Sequence, residues 1–420
     1  MKMNKMVISL LSAGVMSSPL LAHATNGYLP IGYGQKNEAM GGASIALPLD
    51  SLAAANNPAG MVMVGDRIDM GLTLFKPNRK VEFVNNAAGF ASSDGNGKSN
   101  FFIPSFGYNK MISSDTAIGV SVFGNGGMNT QYDANPFQSF SPTPLPPAGI
   151  NLSQLFVAPT WSTKLNATNA VGVSLNLAYQ MFSATGISPF AGLSSSPTNM
   201  SDNGTDTSTG YGVRLGWTGE VTPDVTLGAT YQSKTKMGKF SKYSGLFAGQ
   251  GSFDIPSNYG VGIAVKATPA TTVAFDVERI NYADIPAVGN PFTWPPTPLG
   301  MDNGIGFGWK NMTVLKLGMS YVYDSTLTLR AGLNHNDQQI PQSQTLMNIL
   351  APGVVQNHLS LGGTWTLADK SQISVAYVHA FQQTVNGAGS IPAGAPPAGF
   401  GGGEANISMH EDSIGISYGW

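Results

Sequence analysis

The sequence predicts an all-β protein: a transmembrane antiparallel β-barrel of about 14 strands with a small N-terminal helical hatch plugging the lumen. Three observations carry that expectation. Apolar residues alternate with small or polar ones along many segments, short turns alternate with long loops, and only 10% of the 420 residues are charged. Ordinary soluble domains carry about 25%.

Lys2 and Lys5 precede an apolar stretch from Met6 to Leu21, and Ala22-His23-Ala24 follows. This layout predicts a cleaved signal peptide over residues 1–24 and a mature start at Thr25. No later segment offers the roughly 18 consecutive apolar residues of a membrane-spanning helix. A net charge of −2 excludes a basic nucleic-acid surface. The lack of cysteine excludes disulfides and thiolate metal sites.

Residues 25–66 are expected to form the hatch. Asp50-Ser51 before Leu52-Ala53-Ala54-Ala55 reads as a capped short helix, stopped ahead of Pro58. Ala39-Met40-Gly41-Gly42-Ala43 and Met61-Val62-Met63 are too apolar for a tail in water. The barrel lumen is where they can pack.

The barrel is expected over residues 67–420, with strands at 67–76, 99–110, 115–124, 152–165, 169–182, 209–221, 224–235, 254–267, 271–281, 312–323, 326–335, 357–367, 371–381 and 411–420. The period of two is clear at Val171, Val173, Leu175, Leu177 and Tyr179, and again at Leu315, Leu317, Met319 and Tyr321. It places all the apolar side chains of a strand on one face. Six short turns, such as Asn166-Ala167-Thr168 and Asp324-Ser325, interleave with seven long loops rich in Gly, Ser, Pro and Asn. An even number of antiparallel strands, with short turns at one end and long loops at the other, is the pattern of bacterial outer-membrane barrels. Closure pairs every backbone group, as lipid demands. Ile414, Ile416, Tyr418 and Trp420 give the last strand the same alternation and an aromatic final residue.

The run GYGQKNEAMGGASIALPLDSLAAANNPAGM, with Asn57, Pro58 and Ala59 inside it, resembles the hatch of the FadL/TodX family. FIPSFGY at 102–108, FGNGGMNTQY at 123–132, WKN at 309–311 and NHLSLGGTW at 357–365 extend the resemblance along the chain. The family consists of outer-membrane transporters for long-chain fatty acids and aromatic hydrocarbons. The resemblance implies a 14-stranded, hatch-plugged barrel in the bacterial outer membrane, without cofactor. Its partners would be a hydrophobic small molecule and the surrounding lipid and lipopolysaccharide, with the protein a monomer.

Enzymatic and open-porin readings find little in the residues. His335-Asn336-Asp337 and His410-Glu411-Asp412 look most like chemistry, yet no His-x-x-x-His pair occurs. No catalytic residue and no metal site is expected. A selective aqueous pore needs charged rings, and the set expected inward by parity is modest: Arg214, Lys266, Asp276, Glu278, Lys316 and Arg330. These charges read as partners of one another or of the hatch. With no nucleotide site, passage is expected to be passive, driven by about 0.8 kcal/mol per buried methylene.

The first substrate expectation is a long-chain fatty acid, with neutral aromatic or aliphatic hydrocarbons as the alternative. The resemblance implies basic side chains before the WKN motif and after the fifth strand. Neither 301–309 nor 182–192 contains Lys or Arg. Arg214, Lys310 and Arg330 remain candidates for a polar ligand group. For the exit, the third strand ends in Gly124-Asn125-Gly126-Gly127, and its neighbours contain Pro104 and Pro159. Gly124, Gly126 and Gly127 suit a kink, and proline removes a ladder bond. A lateral gate is expected there, as the resemblance also implies.

Overall fold

The computed structural model of this protein describes residues 26–394 and 399–420. The expected signal peptide and Thr25 lie outside them. Sixteen strands run in chain order among the described residues: β1 (Arg67–Val84), β2 (Ser93–Asp94), β3 (Phe101–Met111), β4 (Thr116–Asn129), β5 (Gly149–Lys164), β6 (Asn169–Thr185), β7 (Asp206–Thr222) and β8 (Val225–Gln232). They continue as β9 (Lys236–Met237), β10 (Asn258–Thr268), β11 (Thr271–Ile280), β12 (Met312–Val322), β13 (Leu327–Asn336), β14 (Asn357–Thr366), β15 (Gln372–Val385) and β16 (Glu404–Gly419). β2 and β9 are two-residue pieces, and the other fourteen form the wall. Each wall strand pairs antiparallel with the next, and β16 pairs with β1 from Asp69↔Gly419 to Val84↔Glu404. The barrel is closed.

The alternation read from the sequence is realised as lipid outside and polar lumen inside. On β6, Leu175, Leu177 and Tyr179 are exposed while Ser174, Asn176 and Gln180 are buried. Tyr179, Tyr211, Tyr231 and Tyr259 face outward near the long-loop ends of β6, β7, β8 and β10. Trp161, Tyr321, Trp365 and Tyr418 face outward near the short-turn ends. Such aromatic girdles mark the two interfaces of a membrane barrel.

Several strands run further than expected, β1 and β16 the most. β1 continues from residue 76 to Val84, and β16 begins at Glu404 rather than 411. Pro77 lies just past the expected end of the first strand at residue 76. Strand N–H groups point alternately to the two neighbours, and Ile68 N–H bonds the Trp420 carbonyl at 2.9 Å. Even positions of β1 therefore face β16 and Pro77 faces away from it. There β3 has ended, since the β1–β3 register stops at Phe75↔Phe101. A proline with no partner on its nitrogen side costs no ladder bond.

Residues 26–66 contain helical turns at Gln35–Glu38, Ala53–Asn56 and Met61–Val64 and a 3-10 turn at Pro58–Gly60. Most of the segment is buried. The expected side-chain cap is not formed: Asp50 Oδ1 accepts from Leu52 N–H at 2.9 Å, and Leu52 is itself the N-cap of the Ala53–Asn56 turn. Pro58 disfavours helical backbone at the preceding residue. Asn57 accordingly turns extended (φ −150°, ψ 110°) and caps the 3-10 turn, its side chain accepting from Ala59 N–H at 3.1 Å.

Candidate functional site

The hatch is fixed to the wall mainly through hatch backbone groups. Asp276, fully buried, accepts from Ser44 N–H (2.7 Å) and Ile45 N–H (2.9 Å). Arg214 Nη1 donates to Asn56 O at 3.1 Å, Ser162 Oγ to Ala59 O at 3.0 Å and Asn109 Nδ2 to Met61 O at 2.7 Å. Asn57 Nδ2 donates to Ile45 O (2.7 Å) within the hatch and to Trp217 O (3.0 Å) on the wall. The Asn57-Pro58-Ala59 turn also presses directly on the barrel. A Cβ at Gly216 would lie 1.9 Å from Asn57 Oδ1, and one at Gly172 would lie 2.4 Å from the Pro58 carbonyl carbon.

An ionic cluster holds the other side of the hatch. Lys36 Nζ donates to Gln372 Oε1 at 2.6 Å, and Ser51 donates to Asp69, which Arg67 pairs at 2.7 Å. Burial pushes the Glu38 carboxyl up to about 7 and that of Asp50 up to about 6, and pushes Lys36 down to about 8.

Of the charges expected inward, Glu278 and Lys316 pair at 2.7 Å. They share with Tyr33, Asn56 and Arg214 a mixed polar cavity of about 440 Å³ between hatch and wall. Lys266 sits exposed at the short-turn end, donating to Pro223 O.

The three candidates for a polar ligand group fare differently. Arg214 lines the mixed cavity but is already bonded to Asn56 O and to Gln232 Oε1 (2.6 Å). Arg330 is half-buried near the hatch and donates to Thr364 Oγ1 at 2.6 Å. Lys310 is exposed and lines none of these cavities. Trp309 buries its ring against Tyr28 and Tyr282, which turns the next side chain outward.

A cavity that no periodicity announced lies among the long loops. It measures about 500 Å³, and its thirteen lining residues include Phe137, Phe190, Met200, Phe292, Leu346 and Phe400. None of the thirteen is polar or charged. Phe137 and Phe190 meet edge-on at 4.7 Å, and Phe190 and Phe400 at 5.4 Å, the geometry aromatic quadrupoles prefer. Each of six loops supplies lining residues, and loop residues carry no repeat from which to read such a cavity.

The wall is broken beside β4. Its register with β3 ends at Ser105↔Phe123, whereas its register with β5 continues to Asn129↔Asn151 across a shift at Gly124/Gly126. Ile112 N–H bonds Thr116 O at 2.9 Å, so even positions of β3 face β4. The nitrogen of Pro104 would be the next in that ladder, and it carries no hydrogen. Pro159 acts elsewhere. Lys164 N–H bonds Asp115 O, so odd positions of β5 face β6, and the β5–β6 register skips Ala158 and Pro159.

Above the break, partners other than β3 serve the edge of β4. Gly127 N–H donates to Tyr28 O at 3.1 Å, and Asn129 O accepts from Arg79 Nη1 at 2.7 Å. Gly126 permits the approach, since a Cβ there would lie 2.3 Å from Tyr28 O. A cavity of about 240 Å³ adjoins this edge, lined by residues including Gly27, Arg79, Asn129 and Trp309.

The family model described as outer membrane protein transport protein (OMPP1/FadL/TodX) matches residues 32–393. The chain belongs to this family. It is thus an outer-membrane transporter for hydrophobic compounds and not an enzyme. The toluene transporter TodX of Pseudomonas putida superposes with a TM-score of 0.69 at 20% identity, over 93% of this chain and 98% of that one. A FadL homologue of Pseudomonas aeruginosa gives 0.70 at 15% identity, over 93% and 99%. The toluene transporter TbuX of Ralstonia pickettii gives 0.63 at 18% identity, over 93% and 98%. At these identities the likeness speaks for the fold. No curated protein matches the sequence.

Proposed function

We propose that this transporter admits neutral hydrophobic molecules, small aromatic hydrocarbons ahead of long-chain fatty acids. The observation that carries the reading is the loop cavity. It is walled by aromatic and aliphatic side chains, and no cation lines it. A carboxylate buried there would lose its hydration without a partner. The arginines deeper in the lumen are engaged with hatch and wall. Two relatives named as toluene transporters support the same direction.

Transit in this reading is passive. A ligand captured by the loops moves past the Tyr28 end of the hatch to the cavity beside Arg79. It then leaves sideways between β3 and β4, because membrane lipid solvates a hydrocarbon and the periplasm does not. Pro104, Gly124, Gly126 and Gly127 belong to this lateral exit, while Pro159 faces the opposite ladder.

Two measurements test the reading. Binding of toluene and of oleate to the purified protein should show saturable toluene binding that Phe190→Asp abolishes. Oleate binding that falls with Arg214→Gln or Arg330→Gln would make fatty acids the substrate. For the exit, Ile103→Cys with Gly124→Cys in a Pro104→Val background restores the ladder donor and staples the break. A Cβ at Gly124 lies 3.0 Å from Ile103 Cγ2. Uptake should stop on oxidation and return on reduction, and parental uptake by the oxidised protein would remove the lateral route.

A further inference from the structure

Lys234, Lys236, Lys239 and Lys242 fall within nine residues of a chain that has only 21 Lys and Arg in all. All four side chains are exposed. Their direction follows from register. Lys236 on β9 is the cross-strand partner of Tyr211 on β7, and Tyr211 continues the lipid-facing row of Val213 and Leu215. Paired residues on neighbouring strands share a face, so Lys236 points outward. Lys234 shares that parity, while Thr235 and Met237 are buried.

The height is set by the tyrosine girdle. Tyr211, Tyr231 and Tyr259 stand on adjacent strands and mark the interface on the long-loop side. Lys234 lies beside Gly212 and Val213, Lys236 is level with Tyr211, and Lys239 and Lys242 continue into the loop beyond it, where lipid headgroups lie. Neither Lys234 nor Lys236 has a side-chain hydrogen bond or ion pair among the described residues. Lys239 reaches only Gln250 Oε1 (3.2 Å) and Lys242 only Thr205 O (2.8 Å).

Two carboxylates stand near, and both are occupied by backbone amides. Asp254 accepts from Met237 N–H at 2.8 Å and Asp206 from Lys242 N–H at 2.9 Å. Elsewhere on the outer face Arg279 lies 4.0 Å from Asp337, and Lys76 and Lys80 stand across the ladder from Asp412 and Asp94.

We propose that this lysine strip, with the tyrosine girdle beneath it, binds the phosphate groups of an outer-leaflet phosphorylated glycolipid, the lipopolysaccharide class. The tyrosines take the acyl–headgroup boundary and the lysines take the phosphates. The strip lies outside the lumen, so the proposal does not depend on what the channel carries.

The test uses the full-length protein in neutral detergent, titrated with bisphosphorylated lipopolysaccharide and with its dephosphorylated form. Binding of intact lipid should fall roughly six-hundred-fold in the variant carrying K234Q, K236Q, K239Q and K242Q, at about fivefold per lysine. Wild type should bind the dephosphorylated lipid as weakly, and a K76Q/K80Q variant should bind intact lipid like wild type. Millimolar inorganic phosphate should not displace the lipid, since one free anion lacks the acyl anchor. Equal binding by the quadruple variant, equal binding of the dephosphorylated lipid, or displacement by phosphate alone would overturn the assignment. Heat-modifiable gel mobility verifies that each variant is a folded barrel.

Discussion

Gly216→Ala is a one-methyl perturbation of the place where the barrel wall meets the Asn57-Pro58-Ala59 turn. The added Cβ would stand 1.9 Å from Asn57 Oδ1, 2.8 Å from Pro58 Cδ and 3.0 Å from Ala59 N. To reach ordinary contact the turn must withdraw by more than an ångström. That displacement opens the bonds Asn57 Nδ2→Trp217 O, Arg214 Nη1→Asn56 O and Ser162 Oγ→Ala59 O. At about 0.5–1.5 kcal/mol each, their loss weakens hatch docking by roughly 1.5–4.5 kcal/mol. That corresponds to roughly a ten- to thousand-fold shift of the docked–undocked equilibrium. The wall itself should tolerate the change, because alanine is unstrained in a strand. Single-channel recording in planar bilayers should therefore show frequent large openings that the parent lacks, with unchanged heat-modifiable mobility on gels. A folded Gly216→Ala protein that stays as closed as the parent would refute the idea that this contact holds the plug.

Two further outcomes bear on the hatch. Deleting residues 27–60 should leave a folded barrel with large, unselective conductance, because these residues fill the lumen and bond to its wall. Docking should also depend on pH. Glu38 and Asp50 titrate higher in the docked hatch than when free, so their contribution is full below about pH 4 and is lost as pH rises through 6 and 7. Lys36 titrates lower, so its contribution returns only above about 8. The groups acting on this cluster are Arg67, Asp69, Thr73 and Arg330 from the wall. Open events should be more frequent at pH 7.5 than at pH 5, with each carboxylate contributing up to about 1.4 kcal/mol per pH unit inside its window. Glu38→Gln should flatten the profile, and an unchanged profile would show that Glu38 does not set it.

Much of the wall could be read from the sequence because its physics has a period of two. Lipid selects one set of side chains and the lumen the other, so Leu175 and Ser174 declare their faces without any tertiary information. The extension of β1 across Pro77 was not legible, because only the register says that β3 has already ended there and that the proline nitrogen faces no partner. The same ignorance placed Pro159 against the third strand. The hatch motif was visible as Asn57-Pro58-Ala59, but its wall partners Gly216, Gly172 and Trp217 were not, since nothing in their strands sets them apart from their neighbours. Lys310 illustrates the limit for loops, where one buried ring at Trp309 decides the direction of the next side chain. The apolar cavity among the loops had no sequence signature at all, being assembled from single residues of six connections.

The way the hatch is held has a consequence for exchange between relatives. Asp276, Arg214, Ser162 and Asn109 grip amides and carbonyls, which every non-proline residue offers alike. The wall thus recognises the path of the hatch more than its side chains. A hatch from another member should seat in this barrel if it keeps the backbone course, whatever its surface, whereas this hatch would drift in a barrel lacking those four residues. Transplantation should be asymmetric. Variation can accumulate in the plug while its socket stays constant, leaving the plug free to diversify with the cargo.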